Sequence, residues 1–350
     1  MISVHETDPT GVTGAASAAD SAADGAALTT LVAFRQAFHD CLTRRADALF
    51  ELTDALLCAP GPVTSLVELS LAGEHRRGHG SLYDSLNAGR IDVDQMHNLV
   101  ARHHIPRDTD GRIVLAIDVS NWLRPGADTS PERAFCHTYT RGRGTQMIPG
   151  WPYSFVAALE PGRSCWTALL HAQRLMPDDD ATAVSAAQLR VVVSTLIATG
   201  QHRPGDPEIW VLADSGYHST RLAVLLADLP VRLLVRMRAD RVLRLPAPPP
   251  RPGRVGRPPR HGPKFRFDDV RTWSAPAHRA TTATDRYGEA RAQCWHRLHA
   301  APARRDGGGG GGGRTDQAPV VEGTVIRVRV DRLPGRTGPQ PMWLWCSDPE

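Results

Sequence analysis

The chain has 350 residues and carries 41 Lys and Arg against 37 Asp and Glu, a formal net charge of +4; this is enough for two or three domains with a sizeable core. Six cysteines (Cys41, Cys58, Cys136, Cys165, Cys294, Cys346) show no CxxC pair and no regular spacing, which argues against a disulfide framework or a zinc ribbon and fits a reducing cytoplasm. The opening "MISVHETDPTG" lacks the basic start and apolar run of a signal peptide. The most apolar window, residues 183–200, is interrupted by Gln188 and Arg190 and is short for a membrane span, so the expectation is a soluble cytoplasmic protein with no membrane partner.

Residues 1–27 are rich in Ala, Ser, Gly and Asp, with four acids and no Lys or Arg, a composition that predicts a disordered tail. From 28 to 57 apolar residues recur at helical spacing (Leu31, Phe34, Phe38, Leu42, Leu49, Leu52, Leu56) and stop before "APGP", which predicts one helix. A shorter helix is expected over 63–72. In "SLYDSLNAGRIDVDQMHNLVARHH" (81–104), Ser81 can cap one helix, Asn87-Ala88-Gly89 makes a turn, and Asp92 with Gln95 forms a capping-box pattern opening a second. That is the layout of a helix-turn-helix, and equally of a plain helical packing unit. Residues 28–110 therefore form a helical domain, a candidate for DNA binding.

After the turn "PRDTDG" (106–111) the pattern changes. Extended stretches are expected at 113–119, 132–142 and 164–175, a helix at 183–199, a strand at 208–213, a helix at 219–228 and a strand at 231–237. Strands followed by strand–helix alternation predict a mixed sheet with helices on both faces, spanning 111–245. "PAPPPRPGRVGRPPRHGPKF" (246–265) suits neither helix nor central strand. Short β-like pieces then appear at 265–273, 291–299, 323–331 and 341–346, with seven consecutive glycines at 307–313 reading as a loop. From residue 246 on, the chain thus reads as a β-rich segment inserted after the alternating part.

Charge is unevenly spread. Residues 231–275 hold eleven Arg and Lys264 against three Asp, a local net of +9, which suits a polyanionic partner as well as a solvated surface. Lys264 is the only lysine in the chain, so part of the arginine excess reflects codon bias of a GC-rich genome.

Two apolar strands run straight into aspartates: "VLAIDVSNW" (114–122) at Asp118 and "EIWVLADSGYHS" (208–219) at Asp214. If the strands are neighbours, two carboxylates meet. Buried, they would need compensation, and a hard divalent cation such as Mg²⁺ supplies it. Local readings stand beside this one: Asp214 as a cap for the following helix, and Asp118 as a turn-maker bonding to Ser120 or Asn121 backbone. A sugar-kinase-type phosphate loop would place glycine after the first Asp, where this chain has Val119-Ser120-Asn121; no Walker loop and no G-x-S-x-G occurs. His137, His171 and His218 have no ligand spacing and read as structural, His218 being close enough to Asp214 to share its cleft.

"VLAIDVSNWLRP", "CHTYTRGRGTQMIPGWPYSFVAALE", "EIWVLADSGYHS" and "VRLLVRMRADRVLR" together resemble DDE-superfamily transposases of bacterial insertion sequences, in particular the actinobacterial type, from about residue 28 onward. The resemblance implies a ribonuclease-H-like α/β core, a helical N-terminal DNA-binding region and a β-rich insertion. It implies an Asp, Asp and Glu triad holding Mg²⁺ (or Mn²⁺), with Asp118 and Asp214 as the first two members. Arg236, Arg238, Arg241, Arg254, Arg257, Arg260 and Lys264 would follow the phosphate backbone of terminal-repeat and target DNA, and the protein would act as a homo-oligomer on DNA. "GRVGRPPRHG" (253–262) also resembles a minor-groove AT-hook. In the family the Glu follows the strand that here reads "PMWLWC" (341–346), and the sequence stops four residues after it, at Glu350. Glu350 lacks the family's helical setting and is not assigned the role. Asp268, Asp285, Glu322 and Asp331 lie in the insertion, so the expectation is a chain cut short before its last catalytic helix, with apolar residues of 183–199 or 341–346 left uncovered. Three functions compete: a DDE transposase, a non-catalytic DNA-binding remnant of one, and a metal-dependent phosphohydrolase of small substrates, which the basic segment disfavours.

Overall fold

A computed structural model describes residues 13–140, 144–162, 166–249, 259–300, 320–333, 336–337 and 339–350. The chain divides into two units, Met1–His103 and His104–Glu350.

In the first unit, α1 spans Thr13–Asp40. The stretch from Thr13 that had been expected to be disordered is therefore helical; its alanines carry the highest helix propensity of any residue. The single helix expected over 28–57 is broken. Strand β1 (Leu42–Arg44) follows α1, and α2 (Ala46–Cys58) restarts after Arg45, whose φ of 55° is left-handed. Short helix α3 covers only Leu66–Leu69, closed by a Ser65–Glu68 capping box. Helix α4 (Gly80–Ala88), β2 (Arg90–Ile91) and α5 (Val93–Arg102) follow. Ser81 does not cap α4: its hydroxyl is buried without a partner among the described residues. Asp92 does cap α5, accepting the Gln95 N–H at 2.9 Å.

Antiparallel pairing of β1 with β2 explains the break, because Leu42 and Arg44 exchange helical for cross-strand bonds to Ile91 and Arg90. A β-carbon on Gly89 would come within 2.3 Å of the Ser85 carbonyl and 2.7 Å of Leu49 Cδ1, so the end of α4 meets α2 too closely for any side chain. The core of this unit is Leu52, Ala55, Leu69 and Leu82, and Arg35 bridges α1 to Asp54 of α2. Helix α4 packs on α2 whereas α5 packs on α1. The two helices read as a helix-turn-helix thus have different packing partners, with β2 between them.

The second unit contains β3 (Val114–Leu123), β4 (Ala134–Thr140), β5 (Gly144–Leu159), β6 (Thr167–Arg174), α6 (Ala181–Ala198), β7 (Ile209–Ala213), α7 (Ser219–Leu225) and β8 (Val231–Met237). It continues with β9 (Val242–Arg244), β10 (Lys264–Arg266), β11 (His278–Thr284), β12 (Gly288–His299), β13 (Glu322–Val330), β14 (Arg332–Leu333), β15 (Arg336–Thr337) and β16 (Met342–Cys346). Strands β6, β5, β3, β7 and β8 are neighbours in that order. Strand β5 is antiparallel to both β6 and β3, and β7 and β8 run parallel to β3. This is the ribonuclease-H-like arrangement.

The β-rich segment is not a separate body. Strand β16 pairs antiparallel with β8, and β13, β12, β9 and β10 follow in the same twelve-stranded sheet. Its interior is aromatic: Phe265, Phe267, Trp295 and Trp343 are buried and Trp273 packs on them, with Arg327 stacked 5.0 Å over Trp273. The expected piece at 265–273 is strand only at its start, then a short 3₁₀ turn at Val270–Thr272. The glycine run at 307–313 lies outside the described residues.

Helix α6 is apolar and long enough to cross a membrane by composition, but it lies on the sheet. Leu189, Val192, Val193 and Leu196 are buried there with Leu115, Ile117, Val156, Val211 and Leu233. Gln188, also buried, is satisfied: Ser154 Oγ donates to its Oε1 at 2.6 Å, and its Nε2 donates to the Ser154 carbonyl at 3.0 Å. Its Nε2 also lies 3.1 Å from His171 Nδ1. On the other side of the sheet Val114, Ala116, Trp210 and Leu212 are only half-buried, so β3 is not buried on both faces as its composition suggested.

Two ion pairs clamp α6 to the α7 region: Arg190 grips Asp228 with both Nη atoms at 2.7 Å, and Arg221 grips Asp180. Hydrogen bonding to Arg190 holds the Asp228 carboxyl at about 2, below its usual 3.8. A depressed folded-state pKa stabilises above the unfolded value and loses that stabilisation as pH falls through the folded one. The clamp is therefore intact above about pH 4 and released towards pH 2, with a modest effect because the pair is solvent-exposed. Wild type should lose stability between these pH values more steeply than Asp228→Asn, the two acid-unfolding curves converging near pH 2; parallel curves would refute the clamp.

Candidate active site

Strand β3 does not stop at Asp118 but continues to Leu123, whereas its neighbour β7 ends at Ala213. The parallel register pairs Ile117 with Ala213, and Ala213 in turn with Val235 of β8. One residue further, Asp118, Asp214 and Arg236 stand in a row across three adjacent strands. Ile117, Ala213 and Val235 are buried on the α6 side, and Asp118, Asp214 and Arg236 are exposed, as the alternation of side chains along strands requires. On the other edge of β3, Asp118 faces Phe155 of β5.

Each carboxylate is oriented locally. Asp118 Oδ1 accepts the Val119 N–H at 2.8 Å, and Asp214 Oδ1 accepts the Gly216 N–H at 2.8 Å. A β-carbon on Gly216 would sit 3.0 Å from that same oxygen, so glycine lets the loop close on the carboxylate. The cap of α7 is not Asp214 but His218, whose Nδ1 accepts the Arg221 N–H; this accounts for His218 without a ligand. Both aspartates are open to solvent. The cost of burying charge is therefore not what calls for a cation here. Proximity and oxygen chemistry remain: two carboxylates in one row are hard-cation donors. Among the described residues no third His, Cys, Asp or Glu completes a cluster with them.

Tyr217, three residues after Asp214, escaped the sequence reading. Its hydroxyl is buried and has no hydrogen-bond partner among the described residues. Burial, then the charges of Asp118 and Asp214, push its pKa up to about 12. Ser154 and Ser185 hydroxyls pull the other way, although neither reaches hydrogen-bond geometry with the phenol. The phenol stays protonated beside both carboxylates, an unspent donor whose burial costs about 1–3 kcal/mol. The only sequence signal was its position in the same turn as Asp214.

A cleft of about 400 Å³ opens beside Asp214 at the C-terminal ends of β7 and β8, lined by Ser215, Arg236, Arg238, Gln340 and Trp343 among others. Arg236 has no ion-pair partner among the described residues, while Arg238 is held by Asp240 at 2.9 Å. Of the other basic residues singled out, Arg241 and Lys264 are exposed and Arg260 is half-buried. Arg254 and Arg257, with residues 253–258 of the AT-hook-like segment, lie outside the described residues. The acids of the insertion have structural partners: Asp268 holds Arg266, Glu322 holds Arg297, and Asp331 accepts the Glu289 N–H. Glu350 lies at the wrong end. Strand β16 runs antiparallel to β8, and Asp348 pairs with Arg232 at the start of β8; Arg232 is in register with Trp210 and Val114, four residues below the carboxylate row.

No curated protein sequence matches the chain. The family profile of DDE superfamily endonucleases matches residues 37–302, three quarters of the chain. With a ribonuclease-H-like sheet that sets two aspartates in register, one within β3 and one just past the end of β7, the chain belongs to the DDE superfamily of endonucleases.

Proposed function

We propose that the protein is the transposase of a bacterial insertion sequence, cutting and joining DNA at the ends of its element with Mg²⁺, for which Mn²⁺ can substitute. The reading is carried by the row Asp118–Asp214–Arg236 in a DDE-family chain. Asp118 and Asp214 would hold the metal, which when bound activates the attacking hydroxyl and stabilises the leaving oxygen of the phosphodiester. Arg236, without an acidic partner among the described residues, binds the phosphate flanking the scissile bond. Asp214 is held in place by the Gly216 N–H, and the Tyr217 phenol stays protonated in the field of both carboxylates. Exposed Arg241 and Lys264 extend the phosphate track, along with Arg238, Arg254, Arg257 and Arg260. The protein acts in the cytoplasm as a homo-oligomer on paired DNA ends.

One observation favours a second reading. No third carboxylate joins the pair among the described residues, which suits a DNA-binding remnant without catalysis. Incubation with supercoiled plasmid in Mg²⁺, Mn²⁺ or EDTA separates the two. Transposase chemistry gives nicked or linear DNA only with metal. Salt-dependent binding without any metal-dependent nicking leaves the remnant.

A further inference from the structure

The face of the sheet that carries Asp118 also carries an aromatic ladder. Along β3 and β5, Asp118 faces Phe155, Ser120 faces Tyr153 and Trp122 faces Trp151. Ring centroids step 6.3 Å from Phe155 to Tyr153, 6.5 Å from Tyr153 to Trp122 and 6.1 Å from Trp122 to Trp151. None of these rings belongs to the buried core, which lies on the opposite face with Ile117 and Val156, and Trp122 is 53 % exposed. Two cations ride on the ladder: the Arg124 guanidinium is 5.0 Å from the Trp122 ring and that of Arg174 is 5.8 Å from Trp151. Arg174 is tied to Glu132 at 3.3 Å, but Arg124 has no acidic partner among the described residues.

Cross-strand aromatic pairs can simply stabilise a hairpin. That account leaves unexplained a half-exposed tryptophan under an uncommitted arginine, in a line that begins at Asp118. Exposed π faces interleaved with cations are the chemistry that holds unpaired nucleotides, the rings taking bases and the guanidinium taking phosphate. Duplex DNA cannot use the rings, because its bases already stack on one another.

We infer that the Phe155–Tyr153–Trp122–Trp151 ladder, with Arg124, is a stacking track for unpaired nucleotides of the DNA strand that passes Asp118. The inference rests on the reading of Asp118 as part of a DNA-cleaving site and adds the form of DNA held next to it.

The test is equilibrium binding of the full chain to a fluorescein-labelled oligothymidine of about 12 nucleotides, within the site sizes of stacking platforms. A mixed-sequence duplex of equal length serves as comparison, and EDTA removes catalysis from the readout. Trp122→Ala and Tyr153→Ala should each weaken single-strand binding about tenfold, the scale of one lost stacked base, while Trp122→Phe keeps most of it and duplex affinity stays within about twofold. Arg124→Ala removes no packed ring and so tests the track even if a ring variant fails to fold; it should lower single-strand affinity and reduce the salt slope by about one. Unchanged single-strand affinity in these variants, or an equal loss on duplex, overturns the track. The two ideas fail separately: variants that bind like the parent, with metal-dependent plasmid nicking intact, remove only the track. A parent that never nicks, but whose ring variants lose single-strand binding, removes only the cleavage reading.

Discussion

Asp118→Asn is expected to reduce metal-dependent DNA nicking by about 1,000-fold or more, the scale of losing several kcal/mol of metal-borne stabilisation. Asp214→Asn should do the same, and the double variant should be no worse than either, since one metal-binding row is lost once. The exchange keeps shape and the acceptor oxygen for the Val119 or Gly216 N–H while removing the charge. Both positions are exposed, so the folded state should tolerate it, and thermal melting is the control. Affinity for DNA in EDTA should stay the same or rise, because one repelling charge has left the cleft. Undiminished nicking by Asp118→Asn would remove the carboxylate row from the chemistry.

Phe265→Ala should have the largest effect on stability of any single change in the β-rich segment. Phe265 is fully buried, with ring centroids 5.1 Å from Trp295, 6.0 Å from Trp273 and 6.3 Å from Trp343. Deleting a buried phenyl ring costs about 3–5 kcal/mol. Trp343 lies on β16, which is hydrogen-bonded to β8, so the damage should reach the catalytic sheet and shift one cooperative transition. Urea unfolding followed by tryptophan emission measures this. A loss under about 1 kcal/mol, or a separate early transition, would mean that the insertion folds apart from the core.

Legibility in the sequence followed how local each feature is. The apolar runs leading into Asp118 and Asp214 were plain, because an apolar run broken by one charge is a signal within ten residues, although β3 carries on past Asp118 to Leu123. Arg236 could be named as basic, but not as the third member of their row, because register between strands is set by pairing across the sheet. Strand β5 was hidden by Pro149 and Pro152; they sit where one edge of β5 changes partner from β4 to β6, a place where missing N–H groups cost little. Strand β11, "HRATTAT", is exposed along nearly its whole length and pairs with β12, so no alternation marks it. Helical spacing ran through Leu42 because β1 is imposed by its partner β2, some fifty residues later. Tyr217 looked like an ordinary turn residue until the structure left its hydroxyl buried without a partner among the described residues, within reach of the charges of Asp118 and Asp214.

Strands β12 and β13 are adjacent and antiparallel, with His299 opposite Glu322. Next to that end, Thr324 is in register with Cys346 of β16 and through it with Leu234 of β8, on the side away from the carboxylate row. Whatever joins the two strands only has to close a gap between neighbours, and doubling the length of such a linker adds only about 0.6 kcal/mol. The glycine-bearing stretch between them is accordingly the natural port for cargo. A fluorescent or affinity domain spliced between His299 and Glu322 should leave the sheet's pairing intact, and relatives should differ in length at this point more freely than anywhere along β3 or β7.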